Sequence, residues 1–373
     1  MVYVFTRDKL LLLLVVLALL SIFWSDARTI TLEQGVALVG TTLIGGYLAM
    51  SCSLTEQLKL LAVALGITAV LSLAFGLALP SYGISHSAST SGNWQGIFNH
   101  KNALGRAMAL GLVVFSIRAI SVDRYRWLAW SGVGLAGALL LLANSITGLV
   151  VALLVLALLP LYRALRWRHT IALPLVIVAA LLFGGLAVLV ASDAGTILGL
   201  VDRDVTFTGR TVVWSAVLDS IRERPWLGYG YNAFWLGWEG PSAQVWLATG
   251  TTFVGAQSGI LDLWLELGLI GLVVFVTQAS RSFLRSMTWA RFTNTAEGLW
   301  PLAFLTFFLL YNASETLILE QNNLYWILYV ATVLSVSIQP TRYRGRATSD
   351  GTRAVHSRHL RKASALNQRV QQR

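Results

Sequence analysis

Three stretches of this chain gather side chains that could hold an anion or move a proton. The first is Gly96-Ile97-Phe98-Asn99-His100-Lys101-Asn102-Ala103-Leu104-Gly105-Arg106. Lys101 and Arg106 are cations, Asn99 and Asn102 offer amide donors, and His100 can titrate near neutrality. Snorkelling toward the membrane surface would account for the two cations but not for the polar residues beside them. A helix starting here would also turn its free amides toward an anion, with His100 either an acid–base group or the helix cap. The second stretch, 192–258, holds Arg210, Arg222 and Arg224 among Trp214, Trp226, Trp235, Trp238 and Trp246. Arginine's planar fork matches phosphate and diphosphate oxygens. The third runs from Gly255 through Gln257, Ser258, Asp262 and Glu266 to Gly268 and Gly271. Asp262 and Glu266 are four apart and share one face of an otherwise apolar helix. Carboxylates at membrane depth rarely face lipid, so they point into a polar cavity or toward cations; a structural ion pair is the equal alternative. Asn312, Glu315 and the run Glu320-Gln321-Asn322-Asn323 follow near the same surface as candidates for the rim.

The elements that must position these groups are membrane helices. The chain has 373 residues, of which 56% are hydrophobic and 12% charged. Soluble domains carry about 25% charged residues, so a water-soluble enzyme and a disordered chain are both excluded. One cysteine, Cys52, excludes an internal disulfide framework and a cysteine zinc cluster. Ten apolar segments have roughly the length a spanning helix needs: 9–24, 34–51, 60–80, 98–118, 127–143, 146–162, 170–191, 259–280, 298–316 and 323–339. Phe23-Trp24 stand where a signal peptide would have small cleavage-site residues, which argues for a retained first span. Segments 127–143 and 146–162, separated only by Asn144-Ser145, are either a tight hairpin or one over-long helix.

Loop charge sets the orientation. With the N-terminus in the cytoplasm, ten spans put 21 Lys and Arg on that side and 7 on the other. The net charge of +11 is therefore mostly topological, with nine of the basic residues in the tail 340–373. That tail is polar and basic, expected to be disordered at an anionic leaflet, and carries no motif for nucleic acid. No repeat of fixed period is present.

Loop 192–258 is longer than a connection requires, which points to function. Within it, Val213, Trp214, Val217, Leu218 and Ile221 have the spacing of an amphipathic helix, expected to lie on the membrane surface with the tryptophans as an interfacial belt. Pro225 ends it, and Gly228, Gly230 and Gly237 follow in a turn region. Asp202-Arg203-Asp204 reads as a D-x-D pattern but faces away from the cytoplasm and carries little weight. Zinc-protease, P-loop and G-x-S-x-G signatures are absent.

Taken in order, three sets of residues resemble the O-antigen ligase/polymerase family of bacterial inner-membrane proteins, and more closely its exopolysaccharide polymerase branch. They are Gly96 to Gly105; Thr208-Gly209-Arg210-Thr211 with Trp214 and then Arg224-Pro225-Trp226-Leu227-Gly228-Tyr229-Gly230; and Ser258-Gly259 through Gly268-Leu269-Ile270-Gly271. The resemblance implies an all-α polytopic membrane protein of the lipid-linked-sugar glycosyltransferase type. Residues 1–339 would form about ten transmembrane helices, with a long periplasmic loop, 192–258, that carries amphipathic helices. Both termini would be cytoplasmic. It further implies transfer of a glycan from undecaprenyl pyrophosphate to a sugar hydroxyl at the periplasmic face, without metal or other cofactor. The acceptor would be another repeat unit (polymerase) or lipid A core (ligase), and contact with other polysaccharide-assembly proteins is expected.

One residue departs from the family pattern. Where the third segment commonly carries histidine, this chain has Gln257, followed by Ser258. An amide does not accept a proton near neutral pH. Either this branch dispenses with the base, or Asp262, Glu239 or His100 replaces it, or position 257 carries an inactivating His→Gln change; the close match of the flanking residues favours the last. On this reading Arg210 grips the diphosphate, helped by Lys101, Arg106 or Arg224, with Asn102 and Arg222 nearby. Trp214, Tyr229 and Tyr231 stack on sugars or cover the lipid chain. A transporter is the rival class; it calls for broken helices in paired halves, and Pro160, Pro174 and Pro301 show no such pairing. A non-catalytic assembly subunit is the third.

Overall fold

The computed structural model describes residues 5–86, 91–121, 125–164, 206–293 and 295–338, with the backbone alone over 206–211. The expected span 170–191, the Asp202-Arg203-Asp204 pattern and the tail 340–373 lie outside the described residues. Among those described, the structure is helical apart from an isolated bridge between Ile84 and Trp94. The helices are α1 (Lys9–Leu20), α2 (Arg28–Ser51), α3 (Leu54–Ala78), α4 (Lys101–Ala119), α5 (Arg126–Leu142), α6 (Ile146–Ala164), α7 (Thr206–Glu223), α8 (Ser242–Thr249), α9 (Gly259–Phe292) and α10 (Trp300–Tyr311), then α11 (Leu324–Ile338). Four of them, α3, α4, α6 and α9, are long and apolar enough to cross a membrane, and four shorter apolar helices accompany them.

Local chemistry sets the helix ends. Ser53 and Glu56 form a reciprocal capping box at the start of α3. Asp8 caps α1 by accepting from the Leu11 amide and is itself bridged by Arg285 at 2.9 Å. The pair 127–143 and 146–162 resolves as a hairpin: α5 and α6 are separate helices, and Asn144 between them takes φ +51. Asparagine is among the few side chains that tolerate that left-handed conformation.

The main core is apolar: α4 packs against α3, α5 and α6, α1 against α9, and α10 against α6. Several polar side chains within it are paired across helices, where water does not serve them. Gln57 donates to Ser335 at 2.9 Å, Tyr162 and Thr306 share a bond of 2.6 Å, and the Tyr329 hydroxyl donates to Gln278.

A second core sits at one end of the bundle. Val213, Val217 and Ile221 of α7 are buried against Tyr229, Phe234, Val245, Ala256 and Leu265. This narrows the expectation of a surface-lying helix: Val213, Val217 and Ile221 of the stripe are covered by protein, in the core shared with α8 and the start of α9, while Leu218 stays exposed. The periodicity was amphipathic in either case, and only the partner differs.

Candidate functional site

Helix α9 is broken. Gly268 takes φ 66 and ψ −170 inside it, a conformation essentially restricted to glycine. A break leaves backbone groups without partners, and the segment 225–230 supplies them. The Tyr229 and Gly230 amides donate to the carbonyls of Leu265 and Glu266 at 2.9 Å each, while the Leu269 and Ile270 amides donate to Pro225 and Trp226 at 2.8 and 3.3 Å. The Arg224–Gly230 motif and the Gly268–Gly271 motif are thus two halves of one junction. Discontinuous helices also occur in transporters, but here the freed groups are bonded to the loop.

At the start of α9, Ser258 occupies the cap position and Gly259 lies against Asn312. A Cβ on Gly259 would fall 2.1 Å from the Asn312 side-chain oxygen, so only glycine fits. The Gly259 amide donates to the carbonyls of Asn312 and Glu315 at 2.9 and 3.1 Å. Glu315 in turn bridges Arg106 at 2.8 Å, both side chains less than a fifth exposed. That chain of contacts joins the first motif segment to the third. The second joins through Trp214, whose indole donates to the Ala256 carbonyl at 2.9 Å, next to Gln257. Helical register sets position 210 on the face of α7 that carries Trp214, Val217 and Ile221, one turn before Trp214; the Arg210 side chain lies outside the described residues.

Other expected site residues have specific places. Gln257 is half-buried with φ +53. Asp262 is buried and accepts from the Trp235 indole at 2.8 Å, the Ala256 amide at 2.9 Å and the Thr316 hydroxyl. It therefore clamps the 256–258 turn to the helix that follows. His100 caps α4, its Nδ1 accepting from the Asn102 amide at 3.2 Å, and Lys101 opens that helix. Glu239 is exposed in the turn Gly237–Glu239.

Arg222 and Arg224 are held by different partners. Arg222 pairs with Asp219 on the solvent side of α7, and Arg224 pairs with Asp26 at 2.9 Å while lying over the Tyr229 ring. Stacking of sugars on Tyr229 and Tyr231 is likewise corrected, because the two residues are 3% and 1% exposed. The Tyr229 hydroxyl donates to Ser220 and Glu223; that of Tyr231 donates to Leu319 and Gln321. Both tyrosines brace the loop, and burial raises the phenol of each. The reach of Trp235 and Thr316 to Asp262 escaped the sequence reading, since nothing in linear spacing links positions 27 and 54 residues away.

Glu320 is a further titratable group at this end. Its carboxylate accepts from Asn323 at 2.6 Å. Burial pushes it up to about 7, Arg106 opposes the rise, and Glu315 and Asp262 add to it. In the unfolded chain it returns to its ordinary value of 4.5, so between these values the folded state holds the proton more tightly. Its contribution to stability is complete below about 4.5, declines as pH rises through about 7, and is flat beyond. Glu320→Gln should remove that decline. Thermal unfolding of the solubilised protein and variant at acidic and alkaline pH checks it, and parallel pH curves would refute it.

Residues 131–276 match the family described as O-antigen ligase. The Exopolysaccharide production protein ExoQ of Rhizobium meliloti (strain 1021) is 28% identical over 274 residues, covering 69% of this chain and 60% of that protein. Both similarities agree with the resemblance of the three motif segments to the O-antigen ligase/polymerase family. The O-antigen ligase match contains α7, the helix break and the turn at Gln257, while the His100–Arg106 segment precedes it. The chain spans three fifths of the length of ExoQ.

Proposed function

We propose that this protein polymerises a surface or exported polysaccharide by moving a glycan from an undecaprenyl-pyrophosphate carrier to a sugar hydroxyl. The observation that carries this reading is the convergence at one end of the bundle: Trp214 on Ala256, and Arg106 on Glu315 beside Gly259. The O-antigen ligase match and the name of ExoQ support the polymer as product. The topology proposed with it has ten spans, both termini in the cytoplasm and the 192–258 loop in the periplasm of a bacterial inner membrane.

In the reaction, the acceptor hydroxyl oxygen bonds to the anomeric carbon as the bond from that carbon to the diphosphate oxygen breaks. The electron pair leaves with undecaprenyl pyrophosphate, and the acceptor's proton passes through water to bulk solvent, because the Gln257 amide does not accept it; a histidine at 257 would take it directly. Arg210 stabilises the charge that develops on the diphosphate, with Lys101 and Asn102 at the α4 terminus as further donors. Preorganised cations of this kind commonly provide the largest catalytic effect. Ser258 and Asp262 keep the 257 turn in place. Arg106 acts through Glu315, holding α4 against the start of α9.

Deletion of the gene tests the reading. Undecaprenyl-linked single repeat units should accumulate and polymer should disappear, as read by mass spectrometry of extracted lipids. Accumulation of full-length lipid-linked polymer would overturn polymerisation in favour of ligation to an acceptor or of export.

A further inference from the structure

A cavity of about 780 Å³ opens between α3, α4 and α5, at the end of α4 opposite the site described above. Arg118 stands seventeen residues after Lys101 on one helix, which at 1.5 Å per residue is about 26 Å away. The cavity is therefore separate from the catalytic proposal. Its size falls in the range of pockets that enclose small or lipid-sized ligands, roughly 300–1,000 Å³.

The lining has two parts. The apolar part is an open groove of hydrocarbon: Val63, Val70 and Leu128, all exposed, with Phe115 and Leu135 beneath and Gly66 and Gly132 leaving the hollow between them. The mouth carries Lys59, Arg118 and Arg126. Arg118 is committed to Glu297 at 3.3 Å and forms wall. Lys59 and Arg126 are exposed. The nearest acid on the α3 side, Glu56, is turned back onto the Ser53 amide and hydroxyl at 2.7 and 2.8 Å. Glu56 also interacts electrostatically with Lys59, so among the described residues the mouth sets Lys59, Arg118 and Arg126 against Glu56 and Glu297 and is net positive by one. Tyr125, Trp127 and Trp130 are exposed around it, the aromatic residues that mark the headgroup level of a bilayer. A hydrocarbon hollow closed at headgroup depth by two cations is complementary to one class of molecule.

We propose that this cavity binds an anionic glycerophospholipid, with its phosphate at Lys59 and Arg126 and an acyl chain over Phe115 between Gly66 and Gly132. Basic recesses between membrane helices recognise acidic headgroups in this way, each cation near the surface adding about a factor of 5. The inference does not rest on the glycosyl-transfer reading, and its test does not use turnover.

The experiment is native mass spectrometry of the purified full chain with added phosphatidylglycerol or phosphatidylcholine. One phosphatidylglycerol per chain should be retained in preference to phosphatidylcholine. The double variant Lys59→Gln/Arg126→Gln should weaken its binding roughly 30-fold. Gly66→Leu should weaken it with all charges intact, because a Cβ at Gly66 meets nothing closer than Phe115 at 3.9 Å and the longer side chain fills the hollow. Unfolding temperatures measured without lipid show that the variants are folded. Equal retention of the two lipids, or unchanged binding in either folded variant, would overturn the proposal. So would displacement by undecaprenyl phosphate at a tenth of the phosphatidylglycerol concentration, which would make the occupant a polyprenyl phosphate.

Discussion

Arg210→Lys should lower polymer yield about 10²- to 10³-fold, the loss typical of removing one preorganised donor from developing charge. The charge is kept and the planar fork is lost, so the change isolates bidentate recognition of the diphosphate. Position 210 is singled out because it belongs to the Thr208–Thr211 set that carries the resemblance, whereas Arg106, Arg222 and Arg224 are engaged by Glu315, Asp219 and Asp26. It also lies one turn from Trp214, which is bonded to Ala256 beside the proposed base position. The measurement is made in the Gln257→His background, so that a working base is present, by polymer released from a complemented deletion strain. Unchanged yield there would end the diphosphate role of Arg210.

The largest gain is expected from Gln257→His itself. A positioned general base contributes typically about 10²–10⁴-fold, and an amide contributes none of it. The backbone supports the exchange. Gln257 has φ +53, a region in which histidine is several-fold enriched among side chains that are not glycine. The turn is held from outside the residue, by Trp214 on Ala256 and by Asp262 on the Ala256 amide, so a new ring at 257 meets a framework already in place. Turnover of a lipid-linked repeat unit by the purified protein is the readout. No gain would move the proton to another group. Asp262 already accepts three donors and Glu239 lies exposed in its turn, which would leave the Nε2 edge of His100.

Much of this protein is legible in its linear order because hydropathy is local. A run of apolar residues must become helix in a bilayer whatever its neighbours, since only a helix pairs all its own backbone groups. The segments at 60–80, 98–118, 146–162 and 259–280 accordingly correspond to helices long and apolar enough to span. Residue chemistry at 96–106, 212–230 and 257–271 singled out segments that the fold brings into contact.

Tertiary structure decided the rest. It made two helices of 127–162 by turning the chain at Asn144. It packed Val213, Val217 and Ile221 of α7 against protein, and it withdrew Tyr229 and Tyr231 into the packed interior. It also showed why the Arg224–Gly230 and Gly268–Gly271 motifs belong together: one satisfies the backbone groups that the other leaves open. None of these can be read from spacing, because the partners are distant in the chain. A periodic pattern specifies that a face is covered, and only the folded molecule specifies by what.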